Sequence, residues 1–186
     1  FSSRRRHTRS GRVTGVQTCA LPISKKKLGL NPKSPVILFV GSGFQRKGAF
    51  ELVEAIKLLP KFQAIIVGHD KKIKALRVLA NEKRILITGS QDNIKPYLDA
   101  SDIFCLPSMY DSLPNAALEA LCCGLPVVIT KDVGLFSRIS EYNAGVICHK
   151  NKNSIAEALT DAWKKRKLFS KNALKVAKVF DIKLKN

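Results

Sequence analysis

Six short runs of apolar residues, set between stretches of helical period, restrict this chain more than anything else in it. The first follows Pro35 and reads VILFVGSG; the second is Phe62 to Val67, closed by Gly68, and the third Arg84 to Thr88, closed by Gly89. Asp102 to Leu106, Pro126 to Ile129 and Gly145 to Cys148 complete the set. Between the first two, Leu52, Val53, Ile56 and Leu59 recur at helical spacing before Pro60. Lys71 to Asn81 reads as a basic amphipathic helix with Ile73, Leu76, Leu79 and Ala80 inward. Ile94 to Ala100 reads as a short helix capped by Asp92, with Pro96 in its first turn. A helix opens near Asn115, and a short one lies near Leu135 to Ser140. Another, capped by Asn153 or Ser154, runs to about Lys165, and a basic helix from about Leu168 to Phe180 follows. Strands that are apolar throughout are buried on both faces, which requires a parallel sheet covered by helices on each side. The expected fold is α/β: a Rossmann-like, doubly wound parallel sheet of about six strands in the order 3-2-1-4-5-6.

The chain has 186 residues, 45% of them hydrophobic, enough for one core. It lacks any apolar run of about 18 residues, the length a membrane-spanning helix needs. The formal charge of +19 is uneven, with eight Lys/Arg and no acid in residues 1–27. Such a surface favours anionic partners without choosing among nucleotides, glycans, membrane and nucleic acid. None of the five cysteines is spaced Cys-x-x-Cys, and Cys105, Cys122, Cys123 and Cys148 stand in apolar contexts. They read as small buried hydrophobes of a reducing cytoplasm. Residues 1–24 lack hydrophobic period and resemble a translation of sequencing-adapter DNA. They are expected to be a foreign, disordered leader, with a basic nucleic-acid-binding arm as the rival reading and a domain of residues 25–186 after them.

The expected topology makes a functional forecast. Ligands of doubly wound sheets bind at the carboxyl ends of strands one and four, where the winding reverses. Strand one ends at Gly41-Ser42-Gly43 and leads to Arg46 and Lys47; strand four ends at Leu106-Pro107 and leads to Asp111 and Glu119. A basic pair therefore faces an acidic pair across one cleft. Glycines let backbone approach a ligand, and the Arg fork and Lys charge suit phosphate oxygens. The helix start at Asn115, Ala116, Ala117 and Leu118 attracts anions, and Glu119 suits ribose hydroxyls. Each motif also has a structural reading. Asp111 can cap a turn, Glu119 can be a solvated helix residue, and Arg46-Lys47 an exposed pair. The Gly-Ser-Gly turn carries Arg46 where the dinucleotide fingerprint needs a third Gly, and no Walker lysine follows. His69 and His149 read as turn and surface residues, and no constellation suggests a metal site or nucleophilic triad.

FVGSGFQRKG, IIVGHD, ILITGSQDNI, YLDASDIFCLPSMYDSLPNAALEALCCGLPVVIT and AGVI together resemble the C-terminal, donor-binding domain of GT-B retaining glycosyltransferases. The likeness is to family 4, including lipopolysaccharide-core glucosyltransferases, and covers about Ser34 to Lys165. The resemblance implies a nucleoside-diphosphate sugar donor, usually UDP-linked, and transfer with retention. Arg46 and Lys47 fall on its phosphate-binding pair, and Asp111 and Glu119 on its two acids. Asp111 would take sugar hydroxyls, Glu119 the ribose, and Gly41, Gly43 and the amides of Asn115 to Leu118 the diphosphate. Gly89, Ser90 and Gln91 to Ile94 would lie along the base. Arg46 and Lys47 would stabilise the leaving group in place of a metal, so neither a metal nor another cofactor is implied. Asp111 replaces the usual Glu, one methylene shorter, and Ser112 the usual Gly. The family also has an N-terminal acceptor domain, expected as the missing partner. The expected location is cytoplasmic, with no specific nucleic acid; the basic helix of Lys164 to Lys185 reads first as a solvated face, with peripheral contact to anionic membrane at its inner face, or to the absent domain, as the alternatives. Two other readings stay open: a non-catalytic polyanion- or nucleotide-binding module, and an epimerase-type relative of the same fold.

Overall fold

The computed structural model describes residues 22–184, without the side chains of 181–184. Cys19 and residues 1–21 of the expected leader lie outside them. Six strands form one sheet in the order β3-β2-β1-β4-β5-β6, every pair parallel. They are β1 Val36–Val40, β2 Gln63–Val67, β3 Ile85–Gly89, β4 Ile103–Leu106, β5 Val127–Ile129 and β6 Gly145–Ile147. This is the doubly wound, Rossmann-like order that the apolar runs require. The central strands β1, β2, β4 and β5 are almost wholly buried, whereas β3 and β6, at the edges, are half-buried.

The helices are α1 Pro22–Lys27, α2 Phe44–Lys47, α3 Ala49–Lys57, α4 Ile73–Leu79 and α5 Lys95–Asp99. They continue with α6 Asn115–Cys122, α7 Phe136–Tyr142, α8 Lys152–Lys164 and α9 Arg166–Leu184. α3 packs on α4 and α8, while α6 and α7 pack on α9. The two groups follow from right-handed crossovers whose direction of winding reverses after β3. Leu52, Val53, Ile56, Leu76, Ala117, Leu121, Ile155 and Leu159 carry the apolar helix faces into the core.

Several local expectations need correction. α4 is shorter than Lys71 to Asn81, and its Ile73 and Leu79 are only half-buried. α5 has no Asp92 cap; Asn93 Oδ1 accepts from the amide of Lys95 at 3.0 Å. α8 is capped by Asn151, whose side chain accepts from Ser154 N, rather than by Asn153 or Ser154. An extended backbone at Asn151 places its oxygen one turn ahead of that amide. Arg84 does not begin β3; its guanidinium donates to the carbonyls of Ile56, Leu59 and Phe62, at the end of α3 and in the turn after it. Cys122 is exposed and Cys123 half-buried, so only Cys105 and Cys148 fit the buried reading.

The expected boundary between leader and domain falls inside α1, at Lys25. The Lys25 ammonium is buried, donating to Asp102 Oδ2 at 2.7 Å and to Ser34 O at 2.9 Å. Asp102 Oδ2 also accepts from Val36 N at 2.8 Å. α1 is thereby fixed to the amino ends of β1 and β4.

Candidate active site

At the opposite, carboxyl ends of the same two strands, the loops are shaped by glycines. A Cβ on Gly41 would lie 2.7 Å from Lys47 Cδ, so its absence lets the Lys47 side chain lie across the end of β1. Gly43 (φ 75°) starts the single turn of α2 and Gly48 (φ 81°) ends it, both left-handed. A Cβ on Gly48 would come 2.3 Å from Pro107 O. Glycine there lets the β1 loop press against the β4 loop, which presents Arg46 and Lys47 to it.

The β4 loop answers with backbone and side-chain contacts. Met109 N donates to Arg46 O at 2.9 Å, and the Arg46 guanidinium donates to Tyr110 O. Buried Ser108 donates to Tyr110 O at 2.9 Å, and Thr130, just after β5, donates to Ser108 O. Asp111 is held on its other side by Gly134 N, which donates to Asp111 O at 2.8 Å. Asp111 Oδ2 lies 3.0 Å from Lys47 Nζ, with the two side chains 13% and 19% exposed. The separation is that of an ion pair, yet the directions are not those of a hydrogen bond, and Oδ2 is a buried acceptor without one. Oδ2 is closed to solvent and faces the Lys47 charge, so a hydroxyl donor would be taken by the other oxygen of this carboxylate.

Gly41, Gly43, Arg46, Lys47 and Asp111 thus come together as the switch-point argument requires. On α6, Asn115 and Glu119 are exposed, Ala116 and Leu118 half-buried, and Ala117 buried. The first-turn amides are more occupied than a free helix start suggests. Asn115 N donates to Leu113 O, and Ala117 N and Leu118 N donate to Pro114 O. Pro114 provides no side-chain cap. Ser90 is exposed and Ile94 packs half-buried on the core, two strands away. Among the described residues no hydrogen bond or ion pair ties either of them to Arg46, Lys47 or Asp111.

Residues 22–176 match the family described as glycosyl transferases group 1. The chain belongs to this family. It is similar to the teichuronic acid biosynthesis glycosyltransferase TuaC of Bacillus subtilis, described as putative in that role, with 34% identity over 73% of this chain and 35% of TuaC. It is 32% identical to the lipopolysaccharide core biosynthesis glycosyltransferase LpsE of Rhizobium meliloti, over 68% of this chain and 36% of LpsE. Among solved structures, Anabaena Alr3699/HepE in complex with UDP-glucose has the same fold. The TM-score is 0.72 at 21% identity, covering 85% of this chain and 47% of HepE. The chain spans about a third of the length of the curated relatives it matches.

One residue of this group 1 domain escaped the sequence reading although the same rule points to it. Asp70 stands just beyond Gly68 at the carboxyl end of β2. Its carboxylate accepts from Phe44 N at 3.0 Å and Lys72 N at 2.7 Å. It therefore fixes the first residue of α2, one turn from Arg46 and Lys47. The amide of Lys72 above all, joined by those of Phe44 and Gly43 and by the Lys72 charge, holds the Asp70 carboxyl below its ordinary value of 3.8, against burial. Burial pushes the Cys105 thiol well up and that of Cys148 to about 12, so neither offers a thiolate near neutral pH. Among the described residues no group of three His, Cys, Asp or Glu is placed to hold a metal ion.

Proposed function

We propose that this domain binds the nucleoside-diphosphate sugar, UDP-linked, of a retaining glycosyltransferase that builds bacterial surface glycan or lipopolysaccharide. The observation that carries the reading is the convergence of Arg46, Lys47 and Asp111 where the winding of the sheet reverses. A diphosphate seated there meets two cations, and the sugar beyond it meets the Asp111 carboxylate. Arg46 is held by one nitrogen to Tyr110 O, which leaves the rest of its fork for phosphate oxygens. When the bond between sugar and diphosphate breaks, negative charge grows on the leaving oxygen beside Arg46 and Lys47. Cations already in place stabilise it without reorganising. Exposed Glu119, one turn into α6, accepts from the ribose hydroxyls; Asn115 to Leu118 contribute the dipole of the helix start more than free amides. The Ser90 to Ile94 segment lies along the base. HepE, solved with UDP-glucose, supports a nucleotide-sugar ligand through shared fold. TuaC and LpsE support the class of product by their names.

On this reading the acceptor is held by a further domain, and this chain alone turns over almost no donor. It works in the cytoplasm, at the face of the membrane where lipid-linked glycans are extended. Calorimetric titration with UDP tests the proposal. Binding is expected, weakened on the order of tenfold by Arg46→Ala and by Glu119→Ala. A folded sample that takes up no UDP at about 1 mM overturns it.

A further inference from the structure

The outer face of α9 carries a charge pattern that neither the fold nor the cleft uses. α9 turns Phe169, Ser170, Asn172, Ala173, Val176 and Ala177 inward, on the side that packs against α6 and α7. At 3.6 residues per turn, Lys167, Lys171, Lys175 and Lys178 fall within about 80° of one another on the opposite side. All four are exposed, with Leu168 half-exposed beside them. From Ala162 to Phe180 there is no Asp or Glu. Among the described residues no ion pair includes any of the four lysines.

A merely solvated helix face does not need this arrangement. Like charges three and four residues apart repel, and opposite charges at that spacing stabilise. Three other helices use the stabilising form, Lys95–Asp99 in α5, Arg138–Glu141 in α7 and Asp161–Lys165 at the end of α8, whereas the short α4 has only Lys74 and Arg77. α9 carries four lysines in an uninterrupted stripe of one sign. The stripe is straight, about 16 Å long at the helical rise, made of compact lysine charges rather than planar arginine forks, and edged by an exposed leucine. A row of that kind matches a flat anionic surface better than a curved, hydrogen-bonding groove.

We propose that the outer face of α9 docks this domain on an anionic lipid surface through Lys167, Lys171, Lys175 and Lys178, with Leu168 at its edge. This rests on the sugar-nucleotide reading only for its purpose, which is to keep the cleft beside a lipid-borne acceptor. The docking itself stands or falls separately.

Co-sedimentation of the full chain with phosphatidylcholine vesicles, roughly one lipid in three replaced by phosphatidylglycerol, tests it. The parent binds these vesicles and not pure phosphatidylcholine. Changing all four lysines to Gln weakens binding at least about thirtyfold, whereas changing them to Arg retains it. A control with Lys57, Lys61, Lys74 and Lys83 changed to Gln removes the same charge from other exposed positions and loses at most about threefold. The five arginines of residues 1–21 are common to every variant, so their contribution cancels. Equal loss in the two Gln sets, or no loss in the α9 set, overturns the proposal. So does a short DNA duplex that binds more tightly than the vesicles with the same dependence on the α9 lysines. UDP titration of the same samples separates the two ideas. Its failure alongside the expected vesicle pattern would remove the sugar-nucleotide reading and leave the docking.

Discussion

Two lysine–aspartate pairs join the β1 side of the domain to β4, one at each end of the strands, and they are built differently. Lys25 and Asp102, at the amino ends, are 2.7 Å apart with side chains 5% and 9% exposed. Each has another partner, Ser34 O for the ammonium and Val36 N for the carboxylate. Lys47 and Asp111, at the carboxyl ends, are 3.0 Å apart, more exposed, and lack hydrogen-bond geometry. The same chemistry is closed off at one end and left unfinished at the other. A satisfied buried pair fixes geometry; a more exposed one without hydrogen-bond geometry can give way to a ligand.

The contrast is broken most easily at the closed end. Lys25→Ala leaves Asp102 buried without its cation, so the free energy of unfolding in urea should fall by about 3–5 kcal/mol. UDP affinity should be unchanged wherever the variant is folded. A loss of stability below about 1 kcal/mol would mean that the two pairs are not different in kind.

At the open end the two readouts should trade places. Lys47→Ala removes a partly exposed cation, and stability should move by no more than about 1 kcal/mol. Calorimetry should show UDP binding weaker by at least about tenfold. Asp111→Asn sharpens the point. It frees Lys47 and removes a negative charge facing the diphosphate, so UDP alone should bind about two- to threefold more tightly. The preference for a UDP-sugar over UDP should fall. Tighter binding of both ligands to the same degree would argue that Asp111 is only the counter-ion of Lys47.

The open end was readable in the sequence and the closed end was not. Strand order follows from the unbroken apolar runs and the rule of winding. Once β1 and β4 are neighbours, Arg46, Lys47 and Asp111 must meet. Lys25 follows no such rule. Whether a charged residue in a polar stretch is buried depends on Asp102, 77 residues away, and no local pattern carries that information. α2 is a single turn, too short for any period to show, yet it aims the basic pair. The adjacent Cys122 and Cys123 read as equally apolar, but neighbours on a helix face directions about 100° apart, and α6 turns Cys122 outward. The cap of α8 lies two or three residues before the expected Asn153 or Ser154 because Asn151, Asn153 and Ser154 are all good caps and only the backbone decides between them.

The smallest expected effect also lies at the open end, in the loop tie made by Asp70. Its carboxylate is stabilised in the charged form by the amides of Lys72, Phe44 and Gly43, and its folded pKa is lower than the ordinary 3.8. A group depressed in this way contributes fully above its unfolded value, and the contribution is lost as pH falls through the folded value. The tie should therefore hold throughout the neutral range and release only in acid below 3.8. Following the Phe44 amide by NMR should show a single transition below that value, absent in Asp70→Asn. Asn retains one acceptor but not the charge, so α2 should loosen without unfolding, and UDP affinity should fall by no more than about threefold. A Phe44 transition at or above 3.8 would mean that the amides do not hold the carboxylate, and that α2 is positioned by Gly48 and the β4 loop alone.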